Sequence, residues 1–277
     1  DEKKLDEIDF GLNNSDLSEH QKVEVRGMLQ NYLEVFQWDN CKVSFTHKIK
    51  HHIQLREGAQ PVKHKVRKFS HEQNEFIEKE VKKLLSQGII KTSHSNWSAR
   101  IVLSREERKG RYRLCIDYRN VNALCSAPMA HPLPNIEQLL HQFKGQVWYG
   151  TLDLYQGYHQ VQLSEDSREI TAFSTRGGLF EFLRLPFGIA SGPTTYQALM
   201  ESILGELMWQ ECIVYIDDLI IFGSTYEEAK GRLEKVLRKL KESGLKLRAS
   251  KCKLFQSAVE FLGFVISNRG IQTCRHI

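Results

Sequence analysis

The sequence predicts an α+β fold built from β-hairpins and amphipathic helices. Its 277 residues are 41% hydrophobic and 26% charged, a composition typical of a globular protein that buries a substantial core. Apolar patterns that indicate strands occur in neighbouring pairs, and helical patterns stand between the pairs. This order lacks the regular strand–helix–strand alternation of a doubly wound sheet, so we expect hairpins rather than a parallel sheet.

Charge is distributed unevenly along the chain. The formal net charge is +5. Residues 1–40 carry 4 basic and 10 acidic side chains (−6), residues 41–125 carry 19 and 8 (+11), and residues 126–277 carry 16 and 16 (0). A block of this basicity is typical of a phosphate-contacting surface, and a solvated lysine-rich face explains it equally well. We interpret residues 1–40 as an acidic leader or linker with a helix behind Ser18.

Cysteine and histidine usage gives little sign of a zinc site or a disulfide scaffold. The six cysteines are widely spaced and form no CxxC pair. His47, His51 and His52 lack a fourth ligand at a usual spacing, so a surface role is the better explanation than metal binding. Neither a signal peptide nor an apolar run of about 18 residues is present in this sequence. We therefore expect an intracellular protein without a membrane partner, in a cytoplasmic particle or in the nucleus.

The first half predicts a helix and a hairpin. Ser70 and Gln73 form a capping-box pattern, an apolar face follows, and Gly88 ends the helix. Residues 101–103 and 112–116 predict two strands joined by a basic loop over 104–110. Pro132 and Pro134 then mark the best candidate for a junction between subdomains.

The second half alternates strands and helices. Pro193 opens a helix that runs toward Leu204. A longer amphipathic helix is expected from Glu227 to Ser243, and Gly244 ends it. A short helix is predicted over 136–143, and strands are predicted over 147–154, 158–163, 179–185, 213–222, 245–247 and 259–266.

Three acidic residues interrupt apolar strands in this half. Asp217 and Asp218 divide an apolar run, and Asp153 ends another strand. Adjacent strand residues point to opposite faces, so Asp217 and Asp218 approach one site only if the chain turns there. A solvated hairpin turn and a metal site are both open explanations for this pair. With Asp153, the set suits Mg²⁺, which prefers oxygen ligands.

Taken together, the motifs resemble the reverse transcriptase of a Ty3/gypsy-type long-terminal-repeat retrotransposon polyprotein. The resemblance extends from about residue 43 to residue 270. The matching segments follow the order of that family: 88–93 (GIIKTS) with Trp97, 112–122 (YRLCIDYRNVN), 131–136 (HPLPNI), 152–160 (LDLYQGYHQ), 171–175 (TAFST), 185–188 (LPFG), 215–218 (YIDD), 244–247 (GLKL), 251–252 (KC) and 261–263 (FLG).

The resemblance implies the fingers and palm of a right-hand polymerase. It assigns residues 41–130 and 166–190 to the fingers, and residues 131–165 and 191–277 to a palm whose antiparallel sheet packs on helices. No thumb is expected within this sequence. Two segments depart from the family pattern: 189–193 (IASGP) replaces a stretch similar to Asn-Ala-Pro, and Asn96 replaces a proline.

The resemblance also implies a reaction and its catalytic residues. A primer 3′-OH would attack the α-phosphate of a dNTP on an RNA or DNA template, with pyrophosphate leaving. Asp153 and Asp217 would hold two Mg²⁺ ions, with Mn²⁺ as a possible substitute, and Asp218 would complete the catalytic triad. The Leu154 carbonyl would help to bind the nucleotide-side ion.

Further residues are implied to contact the substrates. Arg113 matches a triphosphate contact with Arg105 as its partner, and Tyr158 matches the gate that rejects a 2′-OH. Lys251 would either protonate pyrophosphate or contact phosphate. The full nucleotide set is Arg105, Arg113, Tyr158, Gln160, Phe187, Gly188 and Lys251, and the primer and template set is Tyr215, Phe261, Leu262 and Gly263.

Other functions remain open on the sequence. A non-catalytic nucleic-acid-binding remnant would keep the basic segment without synthesis. A carboxylate–metal phosphodiesterase would cleave nucleic acid without dNTPs. The expected partners are a template with its primer, dNTPs, and further polyprotein domains such as a thumb, a ribonuclease H and an integrase.

Overall fold

A computed structural model describes residues 7–38, 42–106, 111–126 and 135–274 of the chain. The predicted loop residues 107–110 and the predicted junction at Pro132 and Pro134 lie outside the described residues. Within the described ranges, no helix has both the length and the apolar character needed to cross a membrane. The helices are α1 (Glu19–Gln30), α2 (His71–Ser86), α3 (Arg119–Leu124), α4 (Ile136–His141), α5 (Glu165–Arg168), α6 (Gly192–Leu204) and α7 (Tyr226–Ser243).

The strands form small, mostly antiparallel sheets, which confirms the α+β prediction. Their orders are β11–β5–β10–β9, β12–β13–β14, β2–β8–β7, β3–β4 and the parallel pair β1–β6. The strand bounds are β1 (Lys50–His51), β2 (Ile90–Thr92), β3 (Arg100–Glu106), β4 (Arg111–Asp117), β5 (Trp148–Asp153), β6 (Gln162–Leu163), β7 (Phe173–Thr175), β8 (Gly178–Phe182), β9 (Cys212–Tyr215), β10 (Asp218–Gly223), β11 (Lys253–Gln256), β12 (Ala258–Phe261), β13 (Phe264–Ser267) and β14 (Gly270–Thr273).

The described chain divides into two compact units. The first unit contains residues 7–38, 135–157 and 197–274, and the second contains residues 42–106, 111–126 and 158–196. These ranges divide the chain at other residues than the expected fingers and palm boundaries near 165 and 190. The assignment of fingers and palm stays a prediction.

Capping residues explain where the predicted helices begin and end. At the start of α2, Ser70 Oγ accepts a hydrogen bond from the Gln73 N–H, and Gln73 Oε1 accepts one from the Ser70 N–H. These reciprocal bonds satisfy N–H groups that have no partner inside the helix. Gly244 ends α7 in the left-handed conformation, with φ of 73°, as a glycine readily does. Both helices confirm the sequence prediction.

The first unit is built around the four-stranded sheet. Alternate residues of β10 are buried on its two faces. On one face, Ile220 and Phe222 pack in a cluster with Phe143 and Phe261. Gly223, the last residue of β10, allows α7 to pack closely against the strand, because a Cβ at this position would lie 2.6 Å from the Ala229 backbone nitrogen.

Residues 7–38, interpreted as an acidic leader, pack within the first unit. Their backbone joins that of the unit: the Leu247 N–H donates to the Val35 carbonyl at 2.7 Å, and the Leu254 N–H donates to the Phe10 carbonyl at 2.8 Å. Glu24 on α1 pairs with Lys230 on α7. Acidic side chains of this segment therefore neutralise part of the basic helix α7.

Three predicted strands differ in the structure. Residues 158–163 form a 3₁₀ turn followed by the short strand β6, because this segment is buried on successive residues instead of on one face. Residues 245–247 make only isolated bridges, from Leu247 to Phe36 and to Leu154. The predicted strand 259–266 is a hairpin, since Leu262 and Gly263 turn the chain with φ of 51° and 80°.

Candidate active site

The β9–β10 hairpin brings the YIDD segment to a tight turn. Tyr215 at the end of β9 pairs with Asp218 at the start of β10, so Ile216 and Asp217 alone form the connection. This is the turn that the adjacent carboxylates require if they are to approach one site. Asp217 and Asp218 are both exposed to solvent at the end of an otherwise buried hairpin.

Asp153 joins this pair through the neighbouring strand. Asp153 is the last residue of β5 and is the direct antiparallel partner of Asp218. Directly opposed residues project from the same face of a sheet. The structure therefore brings the three predicted catalytic carboxylates to one end of the sheet, although they are 64 and 65 residues apart in sequence (217 − 153 and 218 − 153).

Lost hydration and, second to it, repulsion between the carboxylates raise the pKa values of Asp217 and Asp218. The loss of hydration around Asp217, together with the charges of Asp218 and Asp153, raises the pKa of Asp217 to about 6. Lost hydration and then the charge of Asp153 raise the pKa of Asp218. Because both side chains still reach solvent, water screens part of this repulsion. The site favours protonation or the approach of a cation.

Two basic side chains lie beside Asp153. Lys251 Nζ is 3.5 Å from Asp153 Oδ2, and Arg248 Nε is 3.8 Å from Asp153 Oδ1. The Arg248 N–H also donates to the Asp153 carbonyl at 2.8 Å. Lys251 is predicted from the sequence and Arg248 is not, although Arg248 lies only three residues earlier in a stretch, 246–253, that is rich in Lys and Arg.

The donor set suits a hard divalent cation. No group of three or more His, Cys, Asp or Glu residues in the described ranges forms a ready-made metal site. Mg²⁺ typically binds through one or two carboxylates and completes its coordination with water and substrate phosphates, so Asp153 and its neighbours fit it. Leu154, whose carbonyl is the other predicted ligand, follows β5 directly and is a buried residue.

Gln197 on α6 is a residue of this site that sequence reasoning missed. Its Oε1 accepts a hydrogen bond from the Ile216 N–H at 2.8 Å, and its Nε2 donates to the Val214 carbonyl at 3.2 Å. Ile216 has a φ of 56°. A β-branched residue is rare there, and such a conformation costs about 1–3 kcal/mol. No pattern in the sequence connects a helix glutamine to this turn.

Several predicted nucleotide residues form an aromatic cluster in the second unit. The Tyr158 ring lies 4.9 Å from the Phe187 ring and 5.1 Å from the Tyr196 ring. The Arg113 guanidinium lies 5.8 Å from the Phe187 ring centroid, within the range of a cation–π contact. Tyr158 is buried and Phe187 is exposed. The structure thus brings Arg113, Tyr158 and Phe187 together.

Asn122 holds the backbone beside Phe187. Its Nδ2 donates to the Gly188 carbonyl at 2.8 Å, and its Oδ1 accepts from the Ala190 N–H at 2.9 Å. Gly188 has a φ of 94°, which favours glycine. Asn122 is the last residue of the matching segment 112–122, but the motif alone predicts no role for it.

Two nucleotide predictions find no support in the geometry. Arg105 pairs with Tyr112, and Arg113 pairs with Ser104, so the two arginines leave the β3–β4 hairpin on opposite faces. The structure therefore does not bring Arg105 and Arg113 together on one face, and their shared triphosphate contact stays a prediction. Gln160 is completely buried, which keeps its side chain from a nucleotide in this conformation.

Some of the predicted primer residues lie in the core of the first unit and others lie at its surface. Phe261 is only 3% exposed and packs with its ring 5.9 Å from the Phe143 ring, so its side chain supports the fold, and its primer role stays a prediction. Leu262 and the exposed Gly263 form the β12–β13 turn. Tyr215 is half-buried and packs against the same core cluster.

Comparison with known proteins agrees with this arrangement. The family model for reverse transcriptase (RNA-dependent DNA polymerase) matches residues 103–266, which is more than half of the chain. The retrovirus-related Pol polyprotein from transposon 297 of Drosophila melanogaster is 32% identical over 98% of this chain. The corresponding polyprotein from transposon gypsy is 34% identical over 72% of the chain. The chain covers 26% and 20% of these two relatives, so it spans about a quarter of their length or less.

A solved structure matches as well. The foamy viral protease-reverse transcriptase in complex with an RNA/DNA hybrid is similar over 99% of this chain and 36% of its own, with a TM-score of 0.86 and 25% identity. These matches confirm the predicted resemblance and the mixed fold of antiparallel sheets packed on helices. The chain belongs to the reverse transcriptase (RNA-dependent DNA polymerase) family, in the group found in long-terminal-repeat retrotransposon polyproteins.

Proposed function

We propose that this chain contains the polymerising centre of a retrotransposon reverse transcriptase. It would extend a primer 3′-OH with dNTPs on an RNA or DNA template and release pyrophosphate. The observation that carries the proposal is the direct pairing of Asp153 with Asp218 beside the Asp217 turn. Family membership supports the reaction class, and the carboxylates supply its chemistry.

The metal is proposed from the same carboxylates. Asp153 and Asp217 would hold two Mg²⁺ ions, or Mn²⁺ in their place, with Asp218 and the Leu154 carbonyl in support. When bound, such ions activate the attacking oxygen and neutralise the leaving phosphate. Lost hydration, followed by the charges of Asp218 and Asp153, raises the pKa of Asp217 to about 6, and this concentration of carboxylates makes cation binding favourable.

Basic and aromatic residues would position the nucleotide. Lys251 lies beside Asp153, where an ammonium group would contact or protonate the departing pyrophosphate. Arg113, held over Phe187, would bind triphosphate oxygens, because a guanidinium group presents several donors in a fixed plane. Tyr158 would close the sugar pocket against a 2′-OH, since its ring is fixed by two aromatic neighbours.

Nucleic-acid partners are proposed from the relatives. The foamy viral relative is described in complex with an RNA/DNA hybrid, and a second foamy viral structure with double-stranded DNA. By analogy, a template–primer duplex would bind this chain through phosphate contacts and would lose affinity as salt rises. Because the relatives are longer polyproteins, a thumb, a ribonuclease H and an integrase are expected partners in the full protein.

Primer extension on an RNA template tests the proposal. The purified chain is supplied with Mg²⁺ and dNTPs, beside Asp217→Asn and the control Asp16→Asn, an exposed acid in the same unit. We expect extension by the wild-type chain and the control, and loss of extension by Asp217→Asn. Equal extension by all three would overturn the metal assignment. Salt-sensitive duplex binding without any extension would favour the non-catalytic alternative.

A further inference from the structure

We propose that Arg184 and Arg168, together with Lys50 and Gln162, form a binding site for a phosphate group in the second unit. The proposed polymerising centre uses none of these four residues, so the inference goes beyond the proposed function and does not depend on it. Strand register carries the proposal, because it places three of the side chains in one row. The two arginines carry it as well, because each keeps a buried nitrogen without a hydrogen-bond partner.

The row consists of Lys50, Gln162 and Arg184. Lys50 pairs with Gln162 in the parallel β1–β6 pair, and Gln162 is the antiparallel bridge partner of Arg184. Backbone hydrogen bonds on both sides flank the Gln162–Arg184 pair and do not join the two residues themselves. Opposed residues of this kind project from the same face of a sheet, with Cα atoms about 4.5 Å apart. One face therefore presents an ammonium, an amide and a guanidinium group.

Arg184 is the buried end of this row. The residue is only 8% exposed, and its guanidinium carbon lies 4.2 Å from the centroid of the Phe45 ring. The aromatic face offsets part of the lost hydration but accepts no hydrogen bond in the plane of the guanidinium group. Arg184 Nη1 is buried and has no hydrogen-bond partner. Because a buried donor without an acceptor is costly, we expect an acceptor that comes from outside the protein.

Arg168, at the end of α5, brings a second positive charge close to Arg184. Burial, and after it the charge of Arg168, lowers the pKa of Arg184 to about 10. Arg168 Nε is also buried and has no hydrogen-bond partner. In the described part of the chain no ion pair joins either arginine to a carboxylate, and Asp166 Oδ1 lies 3.7 Å from His52 Nδ1 instead. Two guanidinium groups without an acid between them repel each other, and a shared anion removes that repulsion.

The donors of this site suit a phosphate group. A guanidinium group presents its N–H donors in a fixed plane that matches two phosphate oxygens, and phosphate offers further oxygens to a second cation. Lys50 is exposed, whereas Gln162 and Arg168 are half-buried, so the donors extend from solvent toward Arg184. Free pyrophosphate and the backbone of a nucleic acid both supply such a group, and the experiment separates these two sources.

Calorimetric titration with inorganic pyrophosphate tests the site. EDTA is present throughout, so that no metal ion joins the ligand to the carboxylates of the first unit. Arg184→Met keeps an apolar side chain against Phe45 and removes the donors, so the affinity should fall at least about tenfold, as expected for a lost hydrogen bond between charged groups. Arg168→Met should cause a similar loss. Arg176→Met, which replaces an exposed arginine of the same unit, is the control and should bind as the wild type does.

Nuclear magnetic resonance locates the bound ligand. The Nε–H signals of Arg184 and Arg168 should shift as pyrophosphate is added, and the signal of Arg176 should not. Pyrophosphate that binds without moving the Arg184 and Arg168 signals would occupy another part of the chain and would overturn the proposal.

A single-stranded oligothymidylate identifies the source of the phosphate. If the site takes a nucleic-acid backbone, Arg184→Met should weaken oligonucleotide binding at least about tenfold, and the oligonucleotide should shift the same two arginine signals. If the site takes free phosphate compounds, only pyrophosphate should show these effects. Equal affinity of the wild type and Arg184→Met for both probes would refute the site.

Thermal melts distinguish a lost site from a lost fold. In phosphate-free buffer Arg184→Met should melt no lower than the wild type, because it removes an unpaired buried charge and keeps a contact with the Phe45 ring. Pyrophosphate should raise the melting temperature of the wild type and of Arg176→Met, but not that of Arg184→Met. A lower melting temperature of Arg184→Met in phosphate-free buffer would show that the protein itself satisfies this guanidinium group, against the proposal.

Discussion

Asp153 and Asp218 are direct cross-strand partners, so these two candidate catalytic carboxylates share one face at the end of the β5–β10 pair. The pairing explains why two acidic residues interrupt buried strands. Lost hydration, together with the charges of Asp218 and Asp153, also makes an ionised Asp217 unfavourable until a proton or a cation arrives.

The first prediction concerns pH and stability in the absence of divalent metal. The folded chain raises the pKa of Asp217 from 3.8 to about 6. A group with a raised pKa contributes stability that is complete below its unfolded pKa and is lost as the pH rises through its folded pKa. At pH 7 in EDTA, Asp217→Asn should therefore melt at a higher temperature than the wild type.

The same thermal melts provide the control. At pH 4 the wild-type carboxyl is largely protonated, so the advantage of Asp217→Asn should shrink. Adding Mg²⁺ at pH 7 should stabilise the wild type more than the variant, since only the wild type gains a carboxylate ligand. A variant that melts below the wild type at pH 7 in EDTA would contradict the raised pKa of Asp217.

The second prediction concerns sugar discrimination. Tyr158→Val removes the ring that packs against Phe187 and Tyr196, and should admit ribonucleotides. The measurement is kcat/KM for a dNTP relative to the matching rNTP. Tyr158→Phe keeps the ring and should keep the discrimination. An unchanged ratio in Tyr158→Val would exclude Tyr158 as the gate.

The third prediction concerns acid sensitivity of the second unit. Burial lowers the pKa of His51 to about 4, and its ring hydrogen-bonds to Thr195 at 2.9 Å. A histidine with a lowered pKa contributes stability that is present above pH 6.5 and is lost as the pH falls toward 4. His51→Gln should flatten this acid-side loss in unfolding followed by circular dichroism. The exposed His71→Gln should leave the pH slope unchanged.

The fourth prediction tests whether the leader is part of the fold. Leu29 on α1 is completely buried, whereas Val23 on the same helix is 70% exposed. Leu29→Ala should lower the free energy of unfolding by about 2–5 kcal/mol, because it leaves a cavity in the first unit. Val23→Ala should change it by less than about 0.5 kcal/mol. Urea denaturation measures both, and similar small effects would indicate a leader that does not share the core.

Local sequence chemistry accounts for the predicted helices and hairpins. The Ser70–Gln73 capping box and the Gly244 helix end depend on hydrogen bonds between residues close in sequence, so they can be predicted without a tertiary structure. The secondary-structure prediction was wrong where burial outweighed the local pattern. Residues 158–163 are predicted to form a strand, but Tyr158 and Gln160 are both buried in a 3₁₀ turn. Phe261, which is predicted to contact the primer, lies in the core, and its primer role stays a prediction.

The sequence by itself determined the family and singled out Asp153, Asp217 and Asp218 as the candidate catalytic acids, because motif order and residue chemistry are properties of the chain. Only the tertiary structure decided which side chains meet. Strand register pairs Asp153 with Asp218 and separates Arg105 from Arg113, and register depends on contacts between distant segments. The Gln197 bond to Ile216 is of the same kind, since helix packing brings these residues together and no local pattern encodes it.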